Sequence, residues 1–223
     1  MLTHVLWDWN GTLLDDLDVV IDVMNRLLAA KGLPLLDRVS YRREFGFPVR
    51  DYYARIGLGP DHGDFEEWAR TFIDEYDRRA RAIPVRPQAR PILGRLRAAG
   101  LRQVILSAAR SAQLEELVAL HQLGDYFEEL VGQGDHYAHG KLDAARAWLD
   151  RTGHDPARLL LVGDTLHDYE VARDLGAHCV LIAEGHHGAE RLRECECAVV
   201  ADLDELYSAD TPVRDFLDPA PGS

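Results

Sequence analysis

Residues 4–16 read HVLWDWNGTLLDD, and the interpretation of the whole chain turns on them. An apolar run that ends on Asp8 and breaks at once into a turn containing Gly11 is a strand delivering a carboxylate to its C-terminal edge, where open α/β sheets bind ligands. An Asp that merely caps the turn would satisfy the same local pattern. Residues 159–168, LLLVGDTLHD, weigh against that blander alternative: a second apolar strand again ends on a carboxylate, Asp164, with Asp168 following in the same loop. Two such edges face one another only in a folded α/β domain.

After Thr12 the apolar spacing changes from strand to helix, with Leu17, Val20, Ile21, Met24, Leu27 and Leu28 at helical intervals and a stop at Lys31 and Gly32. From there to about residue 83 the rhythm stays helical and no long strand occurs. Phe65, Trp68, Phe72 and Tyr76 stripe one of these helices, a pattern that reads as packing rather than as a ligand cage. Residues 83–87, IPVRP, punctuate the chain. Helix and strand then alternate: a helix over 88–99, a strand over 102–107 ending on Ser107, a helix over 112–120, a short strand near 130 and a helix opened by Lys141. The acidic strand follows, then a helix over 168–175, a strand over 178–182, a weaker strand near 197–200, a short helix over 202–207 and a Pro-rich end expected to fray. This alternation predicts an α/β fold with a mostly parallel sheet covered on both faces. The helical block is too long for an ordinary crossover, so the expected division is a core of residues 1–14 and 84–223 with a helical cap, residues 15–83, inserted into it.

The 223 residues suffice for one well-buried core plus a substantial insertion. A formal charge of −13, with no run of Lys or Arg interleaved with aromatics, argues against double-stranded nucleic acid as a partner. Three Cys do not make a disulfide scaffold. No basic segment leads into an apolar stretch at the start, and nowhere do about 18 apolar residues run together. A soluble, cytoplasmic protein with no membrane partner is expected; nothing in the pattern sets an oligomeric state.

Asp8, Ser107, Lys141 and the Asp164/Asp168 pair therefore sit at successive strand ends or helix starts. Carboxylates at 8 and 164 suit a hard divalent cation, and Mg²⁺ takes carboxylate, carbonyl and water oxygens. The Asn10 backbone carbonyl is a further ligand, and Asp168 either binds directly or orders a metal-bound water. Asp8 then keeps one oxygen for in-line attack on phosphorus. Attack by an anion on a phosphoryl dianion requires positive charge, which Mg²⁺ and Lys141 supply. The Ser107 hydroxyl and the N–H groups of Asn10, Gly11, Thr12 and Ala108 cradle the other oxygens. Taken singly, Ser107 also serves as a helix cap or strand end, and Lys141 as a solvated helix-start lysine.

In this order the motifs resemble the haloacid dehalogenase superfamily of hydrolases, in particular its phosphatases with an α-helical cap after the first motif, the group that includes phosphoglycolate phosphatases. That family opens with D-x-D-G-T and often a further L-x-D, against DWNGTLLD at residues 8–15. Its second motif is a strand-terminal Ser or Thr, here Ser107, and its third a Lys, here Lys141. Its fourth, G-D-[ST]-x-x-D, is matched by GDTLHD at residues 163–168. The resemblance implies a Rossmann-like core, an aspartyl-phosphate on Asp8, and Mg²⁺ held by Asp8, the Asn10 carbonyl and Asp164 with Asp168 in support. It implies a small phosphorylated metabolite as substrate.

One position departs from that pattern. The family's phosphatases use the second Asp of the first motif as general acid and base, whereas Asn10 carries an amide with no proton to give at neutral pH. General acid–base help is worth ~10²–10⁴ in rate, so esters of poorly acidic alcohols suffer most, and acyl phosphates or anhydrides are expected to be favoured. Two alternatives stand beside this hydrolase: a protein that binds phosphorylated ligands with little turnover, and one that uses its cap as a protein-interaction surface.

Other residues have weaker patterns. Arg42 and Arg43 precede a bend at Gly46 and are candidates for an anionic group at the far end of the substrate, against the alternative of surface arginines. His186 and His187 either overhang the site or lie in a solvated loop. His136, His139 and His167 form no convincing Zn²⁺ grouping, and Cys195 and Cys197 lack partner pairs. Cys179 reads as packing. Asp15 and Asp16 read as an acidic hinge or as caps of the Leu17 helix.

Overall fold

β1 (His4–Trp7) is buried at every position, as a strand must be when both faces of its sheet are covered. The computed structural model describes residues 1–59, 63–133, 140–207, 211 and 213. The remaining strands are β2 (Arg102–Arg110), β3 (Glu129–Gln133), β4 (Leu159–Gly163), β5 (His178–Ile182) and β6 (Ala198–Val200). They form one sheet of order β3-β2-β1-β4-β5-β6 in which every pairing is parallel. The expected α/β class holds. Strand order reverses beside β1, so the β1/β4 boundary is the topological switch point at which such sheets bind ligands. Trp7 lies opposite Val162, which brings Asp8 and Asp164 out at the same sheet edge on adjacent strands.

Strand alternation sorts the core into two layers. Leu6, Val104, Leu106, Leu159 and Leu161 face Ala145 and Trp148 of α7 (Lys141–Thr152) and Val171 and Ala172 of α8 (Leu166–Leu175). Val5, Trp7, Ile105, Leu160 and Val162 face the opposite way. They belong to one cluster with α1 (Leu17–Ala30), α4 (Phe65–Ala80), α5 (Ala89–Ala98) and α6 (Ser111–Leu120). Two short helices, α2 (Arg38–Glu44) and α3 (Val49–Arg55), complete the helical segment between β1 and α5, and α9 (Ala189–Leu192) follows β5. Trp68 and Tyr76 are buried in the larger cluster, with Phe65 and Phe72 packed against it.

Boundaries differ from expectation where tertiary pairing overrides local pattern. β2 continues past Ser107 to Arg110, because Arg110 pairs with Gln133 beyond a register shift after Leu106. The short helix expected over 202–207 is a 3₁₀ turn, Asp204–Leu206. The Pro-rich end from residue 214 onward, and His136 and His139, lie outside the described residues. Among the described residues no helix is long and apolar enough to cross a membrane.

Candidate active site

The end of β1 sets the site. The Asp8 N–H donates to the Val162 carbonyl at 2.9 Å, carrying the sheet ladder one residue beyond the strand. Asp8 Oδ1 lies 2.5 Å from Lys141 Nζ, and the same ammonium lies 2.5 Å from Asp168 Oδ1. Lys141 is the first residue of α7 and is 2 % exposed. Thr12 Oγ1 donates to Asp164 Oδ1 at 3.0 Å, and the His186 backbone N–H donates to Asp164 Oδ2 at 2.5 Å. Two glycines allow this close approach. A Cβ on Gly185 would meet Asp164 Oδ2 at 2.0 Å, and one on Gly11, whose φ is +77°, would meet it at 2.3 Å. Asp168 sits in a capping box at the start of α8: its carboxylate accepts from the Thr165 N–H at 3.0 Å and from Thr165 Oγ1 at 2.6 Å.

Charge is unbalanced here. Burial, with Asp168 and Asp164 nearby, pushes the Asp8 carboxyl well above its usual range despite Lys141. Burial also raises Asp164, only partly offset by His186. For Asp168 burial is outweighed by Lys141 and Thr165, so its carboxyl lies below the ordinary value. For Lys141 burial is outweighed by Asp168 and Asp8, so its ammonium is held charged. One oxygen from each of Asp8, Asp164 and Asp168 falls within a 4.8 Å group. Three buried carboxylates against one ammonium, all oxygen donors, fit a hard divalent cation.

Asn10 leads into a second network. Its side-chain amide donates to Asp16 Oδ2 at 2.8 Å and to the Tyr76 hydroxyl at 2.7 Å, and Tyr76 donates to Asp16 Oδ2 at 2.8 Å. The Gly11 N–H donates to Asp16 Oδ1 at 2.8 Å, so this predicted phosphate donor is committed to a side chain. His186 Nε2 lies 3.2 Å from Asp16 Oδ1, and its Nδ1 lies 3.0 Å from the Tyr41 hydroxyl. Asp16 makes no side-chain cap bond to α1; its carboxylate turns inward and is 1 % exposed. Burial raises it, but His186, Asn10 and Tyr76 together hold it below the usual carboxylate range. Burial of His186 is likewise outweighed by Asp16, then Asp164 and Asp8, which raise it to about 9. The result is a buried Asp16–His186 ion pair beneath α2 and α4, where sequence patterning offered only a hinge or a cap. Asp15 instead is half exposed, with an oxygen 3.4 Å from Arg86.

A cavity of about 350 Å³ opens above these groups. Asp8, Asn10, Asp16, Lys141, Asp168 and His186 lie together in its lining, and Ala108 lines it from β2. Ser107 is buried one residue earlier, its Oγ accepting the Ala109 N–H at 3.0 Å rather than capping α6. Phe72 and Tyr76, read from sequence as packing alone, also line the cavity. Arg42 and Arg43 do not. The Arg42 guanidinium donates to the carbonyls of Gly185 at 2.9 Å and Glu184 at 2.5 Å, and Arg43 donates to Glu44 at 2.9 Å. The bend they precede contributes Phe45, Phe47 and Val49 to the walls instead. The Phe47 ring lies 4.8 Å from that of His167. His4, Glu128 and His154 form a separate group at the start of β1, away from this cavity, and neither this group nor the acidic one includes a Cys.

His187 fixes the loop after β5. Its Nδ1 accepts the Leu166 N–H at 3.0 Å and its Nε2 lies 3.1 Å from the Phe45 carbonyl, which selects the neutral Nε2–H tautomer. Burial, then Arg191 and His186, push its pKa down to about 3. An unfolded His titrates near ~6.5, so between these values the unfolded chain binds more protons and stability falls as pH falls. His187 is expected to contribute about 2 kcal/mol to the loss between pH 7 and pH 5. Urea denaturation of wild type and His187→Gln measures it: the variant should show the shallower pH slope, and equal slopes would refute the assignment.

The sequence matches the model of the haloacid dehalogenase-like hydrolases over residues 5–182. A phosphoglycolate phosphatase of Rhodospirillum rubrum is 32% identical over 194 residues, covering 82% of this chain and 80% of that protein. A phosphoglycolate phosphatase of Pseudomonas putida is 26% identical over 211 residues, covering 91% of this chain and 77% of that protein. A haloacid dehalogenase-like family hydrolase from Streptococcus pneumoniae superposes with a TM-score of 0.76 at 20% identity, covering 92% of this chain and 97% of that one.

Proposed function

This chain belongs to the haloacid dehalogenase-like hydrolases, and from that premise we propose that it is a Mg²⁺-dependent phosphohydrolase of small phosphorylated metabolites, working through an aspartyl-phosphate on Asp8. The observation that carries this reading is the Asp8 carboxylate in the lining of the cavity, 2.5 Å from the Lys141 ammonium. Mg²⁺, held by Asp8, the Asn10 carbonyl and Asp164 with Asp168 in support, would supply positive charge to the phosphoryl oxygens. In the first step an Asp8 oxygen bonds to phosphorus as the bond from phosphorus to the leaving oxygen breaks. Lys141 holds Asp8 in place and offsets the charge gathering on the phosphoryl group. In the second step water attacks phosphorus, inorganic phosphate departs and the Asp8 carboxylate is restored. Residues 15–83 act as the cap that excludes water from the first step.

Asn10 cannot protonate the leaving group, so leaving groups stable as anions are the better substrates. Phosphate release should be faster from acyl phosphates than from alkyl esters, and EDTA should remove it. A rate flat across leaving-group acidity would refute the preference, and release that survives metal removal would refute the metal. The commitment of the Asn10 amide to Asp16 and Tyr76 favours a second reading, a phospholigand-binding protein with slow turnover. Saturable binding without release would support that one.

A further inference from the structure

The cavity carries its carboxylates and its Lys141 ammonium at one end, while Gln113 and Tyr52, whose buried hydroxyl has no partner among the described residues, also line it. Beyond Asp16 and His186 its walls are built from the helical insertion, with Val20 and Met24 from α1, Phe45 and Phe47 from the bend, and Phe72 and Ile73 from α4. Lys141 is its only Lys or Arg among the described residues, and that ammonium is already bonded to Asp8 and Asp168. The remaining cation, His186, is paired with Asp16 and reaches Tyr41 through its other nitrogen. A carboxylate or second phosphate on the far side of the substrate would therefore enter a mainly apolar space facing Asp16, with no Lys or Arg counter-ion among the described residues.

We propose that the group carried by the phosphoryl is uncharged and apolar, of the size of a single aromatic or alicyclic ring, and that the aromatic wall of the insertion recognises it. This rests on Asp8 being the phosphoryl-binding end of the cavity. Size is consistent: an apolar cavity of about 150 Å³ admits benzene, and the 350 Å³ here holds a ring together with a phosphoryl group. Phe47, 43 % exposed and set against His167 at the rim, is placed to close over that ring. The relatives named for phosphoglycolate act on a compound with a second anion, and among the described residues this wall offers that anion no Lys or Arg.

Calorimetric binding of phosphonates in the presence of Mg²⁺ tests the proposal without requiring turnover. Benzylphosphonate should bind more tightly than methylphosphonate by on the order of 10²-fold, and phosphonoacetate no better than methylphosphonate. Ile73→Arg should invert the benzylphosphonate and phosphonoacetate order. Phe47→Ala, at a rim position 43 % exposed, should weaken benzylphosphonate roughly tenfold. Phosphonoacetate binding as tightly as benzylphosphonate, or no discrimination among the three, would overturn the proposal. If esters are hydrolysed but that discrimination is missing, only the ring fails; if benzylphosphonate is preferred but no ester is hydrolysed, only the hydrolase reading fails.

Discussion

Asp8→Asn is expected to abolish phosphate release, by on the order of 10⁴–10⁶ if the carboxylate is the covalent nucleophile, while raising the stability of the metal-free protein. The second half follows from electrostatics rather than mechanism. Burial and the neighbouring carboxylates hold the Asp8 carboxyl well above its ordinary range, so its ionised form costs folding free energy wherever pH exceeds the unfolded value. An amide of the same shape removes that cost, and Lys141 keeps Asp168 as its partner at 2.5 Å. A gain of about 1–2 kcal/mol at pH 7.5 is the expected size, as when an active-site charge is removed. The thermal shift that Mg²⁺ gives the wild type should shrink as well, since the variant loses one anionic ligand. Release that persists in the variant would exclude the covalent route, and a lower metal-free midpoint would show that the Lys141 pair outweighs the repulsion.

Asn10→Asp is expected to act in the opposite direction, raising turnover of alkyl phosphates by ~10²–10⁴ and that of acyl phosphates little. The structure adds a condition to that gain. The side chain at position 10 lies 2.8 Å from Asp16 Oδ2, so a second carboxyl there shares space with a buried anion, and one of the two is driven to stay protonated. A carboxyl kept protonated at neutral pH is what a leaving alkoxide needs. Asp16→Asn in the same background should lower the new group's pKa and give back part of the gain, which a pH–rate profile on a single alkyl ester resolves. Equal gains for alkyl and acyl phosphates would show that proton donation is not what the natural residue lacks.

The two acidic edges were readable because their signal is local: an apolar run and a carboxylate at its end report where a strand stops, whatever the tertiary context. Lys141 was readable only as the first residue of a helix; the same local pattern suits a solvated lysine, and its place in the site came from the order of the motifs. Asp16 was not. Its role depends on Tyr76 and His186, separated from it by 60 and 170 residues, and its position before α1 imitates a helix cap that its side chain does not make. Arg42 and Arg43 misled because guanidinium chemistry suits anions of any origin. Backbone carbonyls of Glu184 and Gly185 claimed the first, and the apolar neighbours Phe45 and Phe47 took the wall. The aromatic stripe of α4 was half understood: helical spacing identifies a buried face, but not whether that face meets other side chains or an empty volume.

Arg42 and Arg191 fasten the insertion to the 184–191 loop through peptide oxygens, joined by the ring of His187. These are uncharged acceptors, which dissolved ions barely screen. Beyond the buried Tyr76 hydroxyl, the fastening along α4 is of another kind, with Asp77 meeting Arg110 and Gln113 and the ionic partners about a third exposed, at 35 % and 31 %. Ions compete for that pair. The molecule is thus bound like a book, stitched along one spine and clasped at the other edge, and the clasp is the part that brine undoes first.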